Sequence, residues 1–217
     1  MNSMTPTTIP IGSLVLLSGA PGSGKSTACR HLPPELVLSS DALRQHFFGT
    51  AHTVVDGHVA ERPLATDDRL IFATLESLVR ARLKAGLTTI VDATLISDKE
   101  RKPFAAIAEE LGVSVQVVIF NPPVEQVQRQ NQQRRWRVPE RVVAQFCDRI
   151  QPGSQWPFTL TDGDLILAIA IPTIPDDTQL DVIGDIHGLA DTLQAMLHKL
   201  GYDNNLTHPN GRRLCFL

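Results

Sequence analysis

The sequence predicts an α/β protein built on a doubly wound parallel sheet, and three features carry that expectation. Short apolar runs of strand length recur: LVLLS (14–18), ELVLSS (35–40), TTIVDA (88–93) and SVQVVIF (114–120). Runs that are apolar on both faces and rich in Val and Ile suit strands covered on both sides. Amphipathic helical patterns lie between them, and the first run leads straight into a Gly-rich turn.

The helices follow from spacing. Over 67–85, Leu70, Ile71, Leu75, Leu78 and Leu83 recur on one face, charged residues fill the other, and Gly86 is placed to end the helix. Over 98–111, Asp98 is placed to cap, Phe104, Ile107 and Leu111 recur, and Gly112 closes the pattern. Two stretches rich in turn formers, 151–164 and 172–177, bracket one more apolar run, LILAIAI (165–171). A fresh strand and turn, LDVIGDIHG (180–188), then opens a helical pattern that runs to Leu200, and RRLCFL (212–217) reads as a further strand. The expected organisation is a domain over 1–171, a linker over 172–179, and a fragment over 180–217 too short to bury a core of its own. That fragment is expected to be the truncated start of a second domain.

Composition sets outer bounds. Of 217 residues, 42% are hydrophobic and 20% charged, a balance that suits a folded chain rather than a disordered one. No apolar run approaches the ~20 residues needed to span a bilayer, and the first residues lack the basic and apolar regions of a signal peptide. A formal net charge of −3 argues against coating nucleic acid by bulk charge alone. Cys29, Cys147 and Cys215 are odd in number and form no C-x-x-C pair, so neither a disulfide framework nor a structural zinc site is expected, and the expected location is a reducing cytoplasm.

The turn after the first run, Gly19-Ala20-Pro21-Gly22-Ser23-Gly24-Lys25-Ser26-Thr27, fits G-x-x-x-x-G-K-[ST] in full, between an expected strand and an expected helix. Such a P-loop needs Gly19, Gly22 and Gly24 so that backbone N–H groups can curl around phosphate oxygens without a Cβ in the way. The dipole of the following helix adds to the attraction. Ser23 and Thr27 complete the nucleotide loop, Lys25 is placed for the β- and γ-phosphates, and the Ser26 hydroxyl is placed for Mg²⁺. This is a nucleoside-triphosphate site.

Three further elements bear on what receives the phosphoryl group. Asp41, at the carboxyl end of the run 35–40, suits a proton acceptor facing the crevice, and Arg44, three residues on, suits an acceptor phosphate; the alternative is that Ser40 or Asp41 simply caps a helix. Asp92 ends the run 88–93 where a carboxylate would help hold Mg²⁺, and a turn or capping role is the alternative. Asp67 and Asp68 open a helix; one suffices as a cap, leaving the other for the cleft. The stretch 129–149 carries six arginines, Arg129, Arg134, Arg135, Arg137, Arg141 and Arg149, against Glu140 and Asp148, in a chain with fifteen Arg and five Lys. That pattern suits a lid that grips phosphate or a groove for a nucleic-acid backbone, with a solvated helix face as the alternative. Trp136 suits base stacking or plain packing. Finally, Asp185 and His187 in G-D-I-H-G project two metal-ligand types from one turn, suited to Mn²⁺, Fe or Zn²⁺, although no further ligand set follows.

In this order, the P-loop, S-S-D-x-x-R (39–44), V-D-A-T (91–94), the Arg-rich lid and G-D-I-H-G resemble bacterial polynucleotide kinase-phosphatase. The resemblance implies a kinase domain to about residue 170 and the opening of a calcineurin-like phosphoesterase after it. It implies transfer of the ATP γ-phosphate, with Mg²⁺, to 5′-hydroxyl ends of RNA or DNA in end repair. Lys25 and Ser26 would be the ATP and Mg²⁺ contacts, Asp41 the general base, Arg44 the acceptor clamp, and Arg134 and Arg137 lid arginines. At the lid, Gln130 precedes Asn131 where the family often has Arg, leaving Arg129 as a substitute. Mn²⁺ or a similar metal would sit at Asp185 and His187, but the family's second metal motif, similar to G-D-x-x-D-R-G, is absent, so no competent phosphatase is expected. The alternatives are a P-loop kinase of a small-molecule hydroxyl acceptor and a non-catalytic nucleotide-binding module, the latter opposed by the intact Lys25, Ser26 and Asp41.

Overall fold

The computed structural model describes residues 7–163, 165–170, 180–183 and 190–216. The chain divides into two compact units, Met1–Ala170 and Ile171–Leu217. In the first, the elements in order are β1 (Thr7–Ile9), β2 (Leu14–Gly19), α1 (Lys25–Ala28), β3 (Val37–Ser39), α2 (Ser40–Phe48), β4 (Thr50–Val55), β5 (His58–Pro63), α3 (Asp68–Lys84), β6 (Thr89–Asp92), α4 (Asp98–Glu110), β7 (Val115–Phe120), α5 (Val124–Gln132), α6 (Glu140–Arg149), β8 (Phe158–Thr161) and β9 (Leu167–Ile169).

Five strands form the main sheet in the order β3-β6-β2-β7-β8, every neighbour parallel. β2 is central, and all six of its residues are buried. Its side chains alternate between two cores, as the pleat requires. Leu14 and Leu16 join Ile71, Leu75 and Val79 of α3 and Phe104 and Ile107 of α4 on one face. Val15 and Leu17 join Ala28, Cys29 and Ile9 on the other. From β2 the chain crosses outward to β3 on one side, and from β6 it passes to β7 on the other. The carboxyl end of β2 therefore lies at the point where the strand order reverses, the place where open α/β sheets bind ligands.

The four expected strands are present, with shifted ends. The run 35–40 shortens to β3 because Pro34–Leu36 forms a 3₁₀ turn before it and Ser40 already starts α2. α3 matches its expected span, yet Leu70 and Leu78 lie exposed and the buried stripe is Ile71, Leu75, Val79 and Leu83. The cap of α4 is Ser97 rather than Asp98, whose carboxylate is taken by Arg101. Residues 151–164 are more than turns, since β8 extends the sheet there. Within 165–170 only β9 is strand, and it pairs with β1 outside the main sheet.

The second unit contains β10 (Leu180–Ile183), α7 (Ala190–Leu200) and β11 (Arg213–Phe216), with β10 and β11 parallel. Asp181 accepts hydrogen bonds from Arg212 Nε and Tyr202 Oη, each at 2.8 Å, and the guanidinium holds its carboxyl below the usual range. Asp185 and His187 lie outside the described residues. No helix among the described residues is long and apolar enough to cross a membrane.

Candidate active site

The loop after β2 shows why its glycines are there. A Cβ on Gly19, whose φ is +153°, would stand 2.5 Å from Ser23 Oγ and 2.8 Å from the Phe120 carbonyl. One on Gly22, at φ +91°, would stand 2.9 Å from the Val127 carbonyl of α5. The loop is therefore wedged between β7 and α5, and any side chain at these two positions would push it out of place. α1 spans only Lys25–Ala28, shorter than the expected helix, so the loop's own N–H groups rather than a long helix dipole supply the attraction for an anion.

Lys25 is buried, and its ammonium donates to the carbonyls of Gly19 and Ala20 at 2.8 and 2.9 Å. Burial lowers its pKa to about 8, with the Asp92 carboxylate pulling the other way. Ser26 Oγ donates to Asp92 Oδ2 at 2.7 Å. This hydroxyl and carboxylate, on neighbouring elements beside the P-loop, are hard oxygen donors of the kind Mg²⁺ takes. Asp92 is thus neither cap nor turn residue.

Asp41 is not a cap either. Ser39 caps α2, accepting from the Ala42 N–H, which leaves the Asp41 carboxylate free for the cleft. There Oδ1 takes Arg44 Nη1 at 3.1 Å and Oδ2 takes Arg134 Nη2 at 3.2 Å. Arg44 reaches on to Asp68 at 2.8 Å, while Asp67 caps α3 by accepting from Leu70 N–H. The pair of opening acids on α3 therefore divides its labour as the sequence suggests.

The Arg-rich stretch spans the end of α5, a loop and the start of α6. Asn131, fully buried, braces that loop by exchanging hydrogen bonds with the Val138 backbone at 2.7 and 3.1 Å. Val127 and Val143 of the two helices pack with Ala20 of the P-loop, so the loop is fastened beside the nucleotide turn. Arg134 points into the cleft, and its Nη1, like Ser23 Oγ, is buried with no hydrogen-bond partner among the described residues. Two orphaned donors beside the P-loop fit a multiply charged anion. Arg137 borders the cleft but donates to the Gln132 carbonyl at the end of α5. Arg129 is exposed and is not among the residues lining the cleft.

The cleft has a volume of about 1430 Å³ and runs from the P-loop past Asp41 to the β4–β5 hairpin. Two features, one lining the cleft and one buried outside its lining, are not among the sequence expectations. One is the hairpin, whose signal was Val54-Val55-Asp56-Gly57-His58-Val59: Asp-Gly between alternating apolar residues, with φ of 47° at Asp56 and 77° at Gly57. The other is Arg101, fully buried, which donates to the Leu95 and Gly153 carbonyls, Asp98 and Ser18 Oγ at 2.8–2.9 Å. It lies on the helical stripe of Phe104 and Ala108, and an arginine in such a stripe is the mark of a buried clamp.

Residues 14–152 match the family model described as AAA domain (AAA_33). The chain belongs to this AAA domain family. Its first unit has the parallel-sheet α/β fold of P-loop kinases. Kti12 of Chaetomium thermophilum, solved in complex with ADP-AlF3, is 20% identical with a TM-score of 0.50, over 70% of this chain and 90% of that one. A chain of the Pnkp1/Rnl/Hen1 RNA repair complex is 20% identical with a TM-score of 0.52, over 97% of this chain and 71% of that one. At such identities the likeness is one of fold. Among curated proteins, the chain is 45% identical over 42 residues to the bis(5′-nucleosyl)-tetraphosphatase PrpE (asymmetrical) of Halalkalibacterium halodurans, spanning 17% of that protein's length.

Proposed function

We propose that the first unit transfers the γ-phosphate of ATP to a 5′-hydroxyl end of RNA or DNA, as an end-repair kinase. The observation that carries this reading is Asp41, an uncapped carboxylate that two arginines from different elements turn toward the P-loop cleft. In such a reaction Asp41 accepts the proton of the attacking hydroxyl. The new bond joins that oxygen to the γ-phosphorus, the bond to the β-bridging oxygen breaks, ADP leaves, and Asp41 returns its proton to solvent. Arg44, already on the acceptor side through Asp68, would hold the acceptor's phosphate, and Lys25 and Arg134 would hold the transferring group. Gly19, Gly22, Ser23, Gly24 and Thr27 form the remaining nucleotide cradle, and Ser26 with Asp92 would hold Mg²⁺, which neutralises charge developing on the phosphates. Arg137 joins them only if it leaves the Gln132 carbonyl.

The chain of an RNA repair complex among the structures of like fold supports a nucleic-acid acceptor, as does the order of motifs along the chain. For residues 180–217 the corresponding reading is the N-terminal portion of a calcineurin-like phosphoesterase with Asp185 and His187 as ligands to Mn²⁺ or a similar ion. The G-D-I-H-G run at 184–188 supports it. The test of the kinase is transfer of labelled γ-phosphate to a 5′-OH oligoribonucleotide. Transfer that disappears in Lys25→Ala and Asp41→Ala is the expected result. ATP binding without labelling of any oligonucleotide end would refute the polynucleotide acceptor.

A further inference from the structure

The β4–β5 hairpin forms the wall of the cleft beyond Asp41, and one of its faces is unusual for a surface ribbon. The register pairs Thr50 with Pro63, His52 with Glu61, and Val54 with Val59, so these three cross-strand pairs share a face. Val54 and Val59, near the tip, are 68% and 74% exposed, while Val55 and Ala60 of the opposite face are buried. His52, also exposed, and Pro63 line the cleft. From the tip inward the face thus presents two valines, the His52 imidazole beside a Glu61 carboxylate held by Arg135, and then Pro63 and Thr50. Arg62, on the opposite face, also borders the cleft and makes no ion pair among the described residues.

The hairpin is fastened to the Arg-rich loop. Glu61 Oε2 lies 2.7 Å from Arg135 Nε, the Glu61 N–H donates to the Arg135 carbonyl at 3.2 Å, and the Glu140 N–H donates to Asp56 at 2.9 Å. The ribbon is therefore linked to the loop at its middle and to the start of α6 at its tip. The cleft's volume of about 1430 Å³ also exceeds the roughly 300–1,000 Å³ of ordinary small-ligand pockets.

We infer that this hairpin face is a track for the bases of a single-stranded acceptor, taking the nucleotides that follow the reacting end. The inference rests on the polynucleotide reading and specifies where the strand runs. The valine, imidazole and proline side chains offer van der Waals contact to base faces irrespective of sequence, and Arg62 at the edge supplies a cation for a phosphate. From Thr50 to Val54 the face extends about 13 Å at ~3.3 Å per residue. That accommodates about four bases at the ~3.4 Å spacing of a stacked strand. A duplex end cannot lie on it, because its base faces are already stacked.

The experiment is steady-state transfer from ATP to 5′-OH acceptors of increasing length, from a nucleoside 3′-monophosphate to an octanucleotide. It compares the unsubstituted chain with Val54→Asp/Val59→Asp and, as a fold-preserving pair, Val54→Ser/Val59→Ser. In the unsubstituted chain the acceptor KM falls about ten-fold as length grows and levels off near four nucleotides. In both double variants that fall is lost, with the melting temperature within a few degrees of the unsubstituted chain's. An equal fall in the variants, no length dependence at all, or equal use of a blunt duplex end would overturn the track. Absence of transfer to every acceptor by the unsubstituted chain would instead refute the polynucleotide reading beneath it.

Discussion

Replacing Arg101 by methionine would keep most of its volume and remove its charge and its donors. The side chain is fully buried and satisfies four acceptors: the Leu95 carbonyl, the Gly153 carbonyl, Asp98 Oδ1 and Ser18 Oγ. Their losses are unequal. Leu95 O keeps a bond from Ser18 Oγ at 2.7 Å, and Asp98 keeps Ser154 Oγ and the Gln155 N–H, but the Gly153 carbonyl loses its partner. Leaving a buried acceptor unpaired costs about 1–3 kcal/mol, and the ion pair adds less than a fully buried one because Asp98 is 32% exposed, which together give about 3 kcal/mol. At ~2–4 °C per kcal/mol for a domain of this size, the melting temperature should fall by about 6–12 °C. Arg101→Lys should recover only part of this, since one ammonium cannot meet four separated acceptors. Thermal unfolding followed by circular dichroism measures it. A fall of under 2 °C in Arg101→Met would refute the clamp, since a buried group with four charge-assisted bonds cannot be lost so cheaply.

Asp41→Asn should lower kcat by about 10²–10⁴-fold while the chain still binds ATP, as checked by fluorescent-nucleotide titration alongside the transfer assay. Ser26→Ala and Asp92→Asn should each raise the Mg²⁺ concentration needed for half-maximal transfer, and chelation by EDTA should abolish transfer in the unsubstituted chain. Cys29 is buried and its thiol is pushed up to about 12 by burial, with Asp92 adding to the effect, so iodoacetamide at pH 8 should leave it unmodified in the folded protein, as peptide mass mapping would show. Because the folded thiol keeps its proton where the unfolded one has lost it, this group's contribution to stability is complete below pH 9 and declines toward pH 12; Cys29→Ala should therefore flatten part of the alkaline fall in melting temperature.

How legible the site was in the sequence depended on how local each signal is. The P-loop is a contiguous turn whose glycines are forced by contacts within it and with β7 and α5, so nine residues state the chemistry outright. Asp92 ends β6 and Asp41 follows β3 in the first turn of α2, and the carboxyl end of a strand at a switch point is a position that pattern alone can infer. Which carboxylate caps and which faces the cleft needs only a one-residue shift, and there Ser39 displaced Ser40 and Asp41 as the cap of α2. The hairpin and Arg101 failed for a different reason. Their roles rest on partners far along the chain, Arg135 for Glu61 and Ser18 and Gly153 for Arg101, and no local periodicity encodes such pairings. The exposed Leu70 and Leu78 show the same limit, since the helical stripe is wider than the face that the sheet covers.

The charges of the cleft are balanced among themselves. Arg134 and Arg44 both rest on Asp41, Arg44 also on Asp68, and Ser26 on Asp92, while Lys25 spends its protons on backbone carbonyls. On the proposed reading, a triphosphate introduces several negative charges beside Lys25 and the free Nη1 of Arg134, and a phosphate competes for the guanidinium better than one carboxylate does. Each bond that Arg134 gives up to Asp41 restores a lone pair to the base. The two side chains are 28% and 48% exposed, so their mutual attraction is of the modest kind, about 1 kcal/mol or less, and giving it up is a small cost against gripping a phosphate. On that reading the nucleotide draws away one of the two arginines that hold Asp41, so an oxygen of the carboxylate is freed toward the attacking hydroxyl when the group to be transferred has arrived. That coupling follows from the placement of one loop arginine between the P-loop and the end of β3, and it needs no movement of the sheet beneath it.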